Sequence, residues 1–168
     1  MNIDDSKLAI FRSLFRGRSD TYAIRWEKEG SSGYMPAWDV DWGNYQAHKA
    51  KGGTFQDYPD KKKRLYNDEA ICSHLQGEEV CGIYPLLQDN TSFFVAVDFD
   101  KENWREAIRC LYSTSNKYGL EGYMERSRSG NGGHLWFFFE EAYPAEQSRK
   151  IMFELLRHAG IISHFEKE

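Results

Sequence analysis

Two aspartates, Asp98 and Asp100, stand one residue apart at the end of an apolar stretch. If residues 92–100 form a strand, side chains alternate between its faces, and both carboxylates project from the same face. Neighbouring carboxylates repel each other, and a divalent cation relieves that repulsion through the oxygen ligands it prefers. The pair therefore predicts a metal site suited to phosphoryl transfer. The alternative is a strand that simply ends in solvent-exposed acids.

A second candidate site is the glycine-rich segment 126–134, which ends in a histidine. Glycines allow backbone N–H groups to approach an anion closely, and a hydroxyl and two guanidinium groups add further donors. The segment predicts a phosphate-binding turn made by Arg126, Arg128, Ser129, Gly130, Asn131, Gly132 and His134. The alternative is an ordinary hairpin turn, with the histidine bonded to a neighbouring carbonyl group.

The elements that must position both sites follow the order strand, helix, strand, strand, helix. Apolar periodicity and turn residues predict strands at 92–100, 122–128 and 134–139, and helices at 104–118 and 144–159. This is a ferredoxin-like or RNA-recognition-like pattern that lacks its last strand. The first and third strands of that topology are neighbours, so the two acids should face His134.

Residues 1–79 are expected to form an N-terminal α/β portion, and residues 80–168 the catalytic core of one compact α+β unit. Within the first portion, residues 39–68 are polar and aromatic and predict a long, mostly irregular insertion. A basic run in that insertion could hold nucleic acid beside aromatic side chains that stack on bases, or could be a solvated loop. The run comprises Lys61, Lys62, Lys63 and Arg64.

Composition narrows the class of protein. A chain of 168 residues with 40% hydrophobic residues can bury a core, and its net charge of −4 argues against a general polyanion-binding surface. The absence of a long apolar run and of a signal-peptide pattern predicts a cytoplasmic protein without a membrane partner. Three cysteines at wide spacing predict neither disulfides nor zinc.

These motifs together resemble those of a known family. Val95-Ala-Val-Asp-Phe-Asp100 resembles the first motif of the archaeo-eukaryotic primase superfamily, in which two acids lie on a central strand. Residues 125–136 resemble its second motif, in which a serine and a histidine contact the incoming nucleotide. The resemblance spans roughly residues 11–140 and is closest to primase-polymerase domains of the TOTE conflict-system and CRISPR-associated types.

The resemblance implies a template-directed primase or polymerase that uses nucleoside triphosphates, a DNA or RNA template-primer, and Mg²⁺ or Mn²⁺. It implies that Asp98 and Asp100 are the metal ligands, and that Ser129 and His134 contact the nucleotide. Phosphate contacts from Arg126 and Arg128 are inferred only from charge and position.

The chain departs from the family in two places. Many relatives carry a cysteine cluster where residues 38–66 have none. The family's third motif also supplies an acid on a strand after the last helix, and this chain stops about where that strand should begin. Glu166 or Glu168 could replace that acid, but the favoured interpretation is a piece of a longer protein that carries a helicase or nuclease domain.

Two other functions stay open. Without its third acid, the domain could be a non-catalytic module that binds nucleotides or nucleic acid. It could also be a metal-dependent nuclease or phosphoesterase built on a similar sheet.

Overall fold

The computed structural model describes residues 3–100 and 102–165, which divide into two compact units. The first unit is formed by residues up to 13 together with residues 17–84. The second is formed by residues 14–16 and by residues from 85 onward. Five α-helices and several small antiparallel sheets lie in this part of the chain, so the fold is α+β, as the sequence predicted.

The first unit combines a three-stranded sheet with a two-stranded one. The elements are α1 (Asp5–Leu14), β1 (Ala23–Lys28), β2 (Ser31–Pro36), β3 (Trp38–Val40), α2 (Trp42–Ala50), β4 (Lys61–Lys63), α3 (Asp68–Gln76) and β5 (Cys81–Gly82). Its sheets have the strand orders β2–β1–β5 and β3–β4, and all of their strand pairs are antiparallel. Its small core is centred on Tyr22, Ala37 and Ala70.

Residues 39–68 contain more regular structure than the sequence predicted, alongside irregular stretches. This segment contains α2, most of β3 and all of β4. The side chain of Asp41 caps α2 by accepting a hydrogen bond from the backbone N–H of Asn44. No residue of α2 is buried, so the helix carries little of the apolar periodicity by which an amphipathic helix is recognised in a sequence.

The second unit has the predicted order strand, helix, strand, strand, helix. The elements are β6 (Thr91–Phe99), α4 (Trp104–Lys117), β7 (Tyr123–Arg126), β8 (Gly133–Pro144) and α5 (Ala145–His158). The sheet has the antiparallel order β6–β8–β7, in which the first strand lies beside the third, as in the ferredoxin-like topology. Past α5, the described residues hold a short 3₁₀ turn at Ile162–His164.

One face of this sheet is buried under α4 and α5. A single core cluster joins the sheet to the two helices. It contains Val97 and Phe99 of β6, Leu135 and Phe137 of β8, Leu111 of α4 and Leu155 of α5. Because side chains alternate along a strand, residues 98 and 134 project from the opposite face. The burial pattern therefore determines which side of the sheet carries the polar side chains.

The segment Leu14–Arg16 packs on that opposite face, at the end away from residue 98. Phe15 makes edge-to-face contacts with Trp136 and Phe138, at centroid distances of 5.2 and 5.4 Å. Nη2 of Arg16 donates hydrogen bonds to the carbonyl oxygens of Phe139 and Glu140, at 2.7 and 2.9 Å. Aromatic packing thus covers one part of the face and leaves the acidic end uncovered.

Length and hydropathy rule out a bilayer-crossing helix within the part of the chain that the structure describes.

Leu111 provides a test of the core, because it is fully buried between the sheet and α5. We expect Leu111→Ala to lower the free energy of unfolding by about 2–5 kcal/mol, since it leaves a cavity in close-packed surroundings. Ile151→Ala is the control, because Ile151 is 40% exposed on α5 and its truncation should cost less than about 1 kcal/mol. Urea unfolding followed by circular dichroism measures both, and equal costs would contradict this account of the core.

Candidate active site

Asp98 and His134 lie directly opposite each other on neighbouring strands. The register of β6 and β8 pairs these two residues, and Nε2 of His134 is 3.4 Å from Oδ1 of Asp98. The side chain of Asp98 is 60% exposed, because it points away from the core formed by its neighbours Val97 and Phe99. The structure therefore brings the first acid and the histidine together, as the topology predicted.

Asp98 and Asp100 are electrostatically coupled. Partial burial of the carboxylate, followed by the negative charge of Asp100, raises the pKa of Asp98, while the nearby His134 acts in the opposite direction. A divalent cation would remove this repulsion, and Mg²⁺ in proteins is commonly held by one or two carboxylates together with phosphate oxygens. The pair fits such an ion. Within residues 3–100 and 102–165, no group of three or more His, Cys, Asp or Glu side chains is arranged to hold a metal.

The glycine-rich turn lies against the second acid. A Cβ atom added to Gly132 would lie 2.8 Å from Oδ1 of Asp100 and 2.7 Å from the carbonyl oxygen of Phe99. Any side chain at this position would push the turn away from the end of β6. Gly132 therefore allows the turn and the two acids to approach each other closely.

The backbone N–H groups of the turn act partly within the turn itself. The N–H of Gly130 donates to the carbonyl oxygen of Ser127 at 2.9 Å, and the N–H of Asn131 donates to Oγ of Ser129 at 3.2 Å. Gly130 has a φ of +77°, a left-handed conformation that glycine adopts without strain. These hydrogen bonds hold the shape of the turn, and they include the hydroxyl group of Ser129 although that residue is exposed.

The two arginines of the predicted phosphate site differ in position. Arg126 alternates with Glu125 along β7 and lines a cleft beside α4, on the helix-covered side of the sheet. Its Nε donates to the carbonyl oxygen of Gly130 at 3.3 Å, so the side chain lies beneath the turn. Arg128 is an exposed residue of the turn. Arg126 is thus not brought together with Asp98 and His134.

Glu125 is a site residue that the sequence analysis missed. Its Oε2 atom accepts hydrogen bonds from Nδ1 of His134 at 3.2 Å and from Nε1 of Trp136 at 2.7 Å. A carboxylate has no proton to donate, so Nδ1 carries the hydrogen and Nε2 is turned towards Asp98. The turn closes with Ser127 opposite Gly132, and counting outward from that pair places Glu125 opposite His134. Counting residue pairs outward from the turn would therefore have identified Glu125 from the sequence.

The basic run of the first unit is largely engaged within that unit. Nζ of Lys61 donates to the carbonyl oxygens of Phe55, Gln56 and Tyr58, at 2.7–2.8 Å. Nη1 of Arg64 pairs with Oε1 of Glu79 at 2.7 Å. Lys62 and Lys63 are exposed. Of the four residues predicted to hold nucleic acid, Lys62 and Lys63 therefore present exposed ammonium groups, whereas Lys61 and Arg64 make contacts within the unit.

The acid of the third motif has no observed counterpart. Glu166 and Glu168, which could replace it, lie outside the described residues.

The hydrogen bonds of Glu125 can be tested without any assay of activity. We expect Glu125→Ala to shift the Trp136 indole N–H resonance upfield, because that N–H loses its acceptor, and to lower the free energy of unfolding by about 1 kcal/mol. Glu125→Gln keeps an oxygen acceptor and should retain most of the shift. A ¹⁵N–¹H correlation spectrum, assigned with Trp136→Phe, measures this. An unchanged indole resonance in Glu125→Ala would show that the hydrogen bond is absent.

Comparison with known proteins agrees with the motif assignment. Residues 6–167 match the archaeo-eukaryotic primase domain of the TOTE conflict system, which includes both motifs and both units. No curated protein matches the chain. At the level of the family, this match indicates primase-like nucleotidyl transfer. The chain therefore belongs to the archaeo-eukaryotic primase family, as a domain of the TOTE conflict-system type.

Proposed function

We propose that this domain is the catalytic core of a primase-polymerase, which transfers nucleotides from nucleoside triphosphates to a template-directed strand. The observation that carries the proposal is the pairing of Asp98 with His134 across two strands, next to a turn packed on Asp100. Acids able to hold cations beside donors able to hold phosphate are the arrangement that nucleotidyl transfer requires. The turn also joins two strands, which distinguishes it from dinucleotide-binding loops that lead into a helix.

Each side chain has a separate role in this proposal. Asp98 and Asp100 hold Mg²⁺ or Mn²⁺, which would supply charge neutralisation at the phosphates and activation of the attacking 3′-hydroxyl group. His134 directs Nε2 to the same side of the sheet and, in its doubly protonated form, keeps its Nδ1–H on Glu125 while Nε2–H donates to a phosphate oxygen of the nucleotide. The hydroxyl group of Ser129 is a second donor, and Glu125 keeps the imidazole ring in position.

The edge of β6 is the place where a further acid would enter. In the described residues, β6 pairs with β8 on one side, and a cleft of about 520 Å³ lies between its other side and α5. Asp98 lines this cleft. A fourth strand of the ferredoxin-like order would occupy that edge and place its own side chains next to Asp98. The proposal therefore includes a third carboxylate contributed along this edge.

Asp98→Asn tests the metal site. A bound cation supplies several kcal/mol of transition-state stabilisation, so we expect Mn²⁺-dependent primer extension to fall by about 10³-fold or more. Mn²⁺-dependent binding of a labelled nucleoside triphosphate should weaken in parallel. Glu141→Gln removes the same charge from an exposed position of β8 and serves as the control.

Extension and nucleotide binding that survive unchanged in Asp98→Asn would contradict the proposal. The products on a labelled primer-template separate the other functions. Shortened products that depend on Asp98 would favour a nuclease, and nucleotide binding without extension, also in a protein extended past Glu168, would favour a binding module.

Gly132→Ala tests the contact between the turn and the acids. The added methyl group would meet a backbone carbonyl oxygen and the carboxylate of Asp100 at distances under 3.0 Å, so the turn must move. Since displacements of about 1 Å in an active site can cost about 10²-fold, we expect extension to fall by at least about 10-fold with little loss of fold. Gly43→Ala is the control, because its nearest contact is the flexible side chain of Asp41 at 3.2 Å. Equal activity in both variants would contradict the contact.

A further inference from the structure

We propose that a cleft beside the edge strand β7 binds the phosphodiester backbone of single-stranded nucleic acid. The cleft has a volume of about 270 Å³ and lies between α4 and β7 in the second unit. Its charged lining contains Arg105 and Arg109 of α4 and Glu125 and Arg126 of β7. The carboxylate of Glu125 is engaged by His134 and Trp136, so the arginines supply the charge available to a ligand. We call this feature the arginine cleft. It lies on the side of the sheet that α4 covers, away from Asp98 and His134.

The three guanidinium groups of the arginine cleft have no carboxylate partner in the part of the chain that the structure describes. Elsewhere in the chain, arginines such as Arg18 and Arg64 are paired with carboxylates at 2.5–2.7 Å. In a protein of net charge −4, a local group of unpaired arginines is a strong attractor for an anion.

The geometry of the cleft suits a chain of phosphates. Arg105 and Arg109 are one turn apart on α4, which puts their Cβ atoms about 5–6 Å from each other on one face. The guanidinium of Arg105 stacks on the indole of Trp104, 4.5 Å from its centroid, which holds that side chain along the cleft. Met124 is 51% exposed and offers an apolar surface to a base or sugar. Guanidinium groups bind phosphate through forked hydrogen bonds, so several in a row favour a polyanion over a single small ion.

The position of Arg126 favours nucleic acid over an acidic peptide. Arg126 is the last residue of β7 and directly precedes the turn that packs on Asp100. A strand of nucleic acid held in the cleft would therefore lead towards the proposed catalytic turn. A peptide could instead add to the free edge of β7, but that strand has only four residues to pair with. The inference rests on the proposed function, because it assigns to this cleft the template strand of that reaction.

The test compares two double variants of equal charge in the full chain. Arg105→Gln with Arg109→Gln removes two positive charges from the cleft, and Lys150→Gln with Arg157→Gln removes two from α5. Binding of a fluorescein-labelled single-stranded oligonucleotide is measured by anisotropy in EDTA, without nucleoside triphosphate, over a series of salt concentrations. We expect the cleft variant to bind at least about 10-fold more weakly at low salt. For the cleft variant, the slope of log K against log salt concentration should be shallower by about 1.4. The α5 variant should match the native protein in affinity and in slope.

Three results would overturn the inference: no strand binding by the native protein, equal losses in both double variants, or displacement of the strand by poly-glutamate as readily as by unlabelled strand. Asp98→Asn separates this inference from the proposed function. Strand binding retained in Asp98→Asn, with extension lost, supports both. Extension retained in Asp98→Asn, with strand binding lost in the cleft variant, would support nucleic-acid binding by the arginine cleft. It would contradict the catalytic role proposed for Asp98.

Discussion

The candidate site depends on the antiparallel pairing of β6 with β8, because that register alone sets Asp98 opposite His134. At the paired ends of both strands, alternate residues such as Val97 and Leu135 are buried in the core under α4 and α5. A slip of one residue would carry these apolar side chains to the open face and the acids into the core. The hydrophobic pattern therefore enforces the polar geometry, although none of the buried side chains takes part in the chemistry.

Small residues complete that geometry at the end of the sheet. Gly132 lies against Asp100, and a Cβ atom on Gly133 would lie 2.6 Å from the ring of Trp104. Trp104 is itself buried at the start of α4. The two glycines therefore fit between the acidic end of β6 on one side and the core of the second unit on the other. The absence of side chains at these two positions allows the turn to lie close to the end of β6 that carries Asp98 and Asp100.

The alternation of side chains along strands and the order of the elements made much of the second unit predictable. The features that were not predicted depend on contacts that form only when the chain folds. An apolar stretch that ends in Asp-Phe-Asp places both acids on one face, and the order of elements places His134 beside them. The use of Lys61 to bind three carbonyl oxygens could not be predicted, because those carbonyls meet only when the loop folds. Helix α2 was missed for a related reason, since Phe55 and Tyr58, the aromatic partners of its Tyr45, meet it only when the loop folds.

Strand β7 places acidic and basic side chains on opposite faces of the sheet. Glu125 and Arg126 are neighbours in sequence, yet a period of two sends them to opposite faces of β7. Glu125 joins His134 on the open face, where negative charge is concentrated around Asp98 and Asp100. Arg126 lies on the other face of the strand. If it shared a face with the acids, it would be attracted to them, and its charge would compete with a cation for the carboxylates. With the arginines behind the sheet, the proposed metal site has no competing guanidinium group, and the guanidinium groups remain available to the proposed nucleic-acid strand.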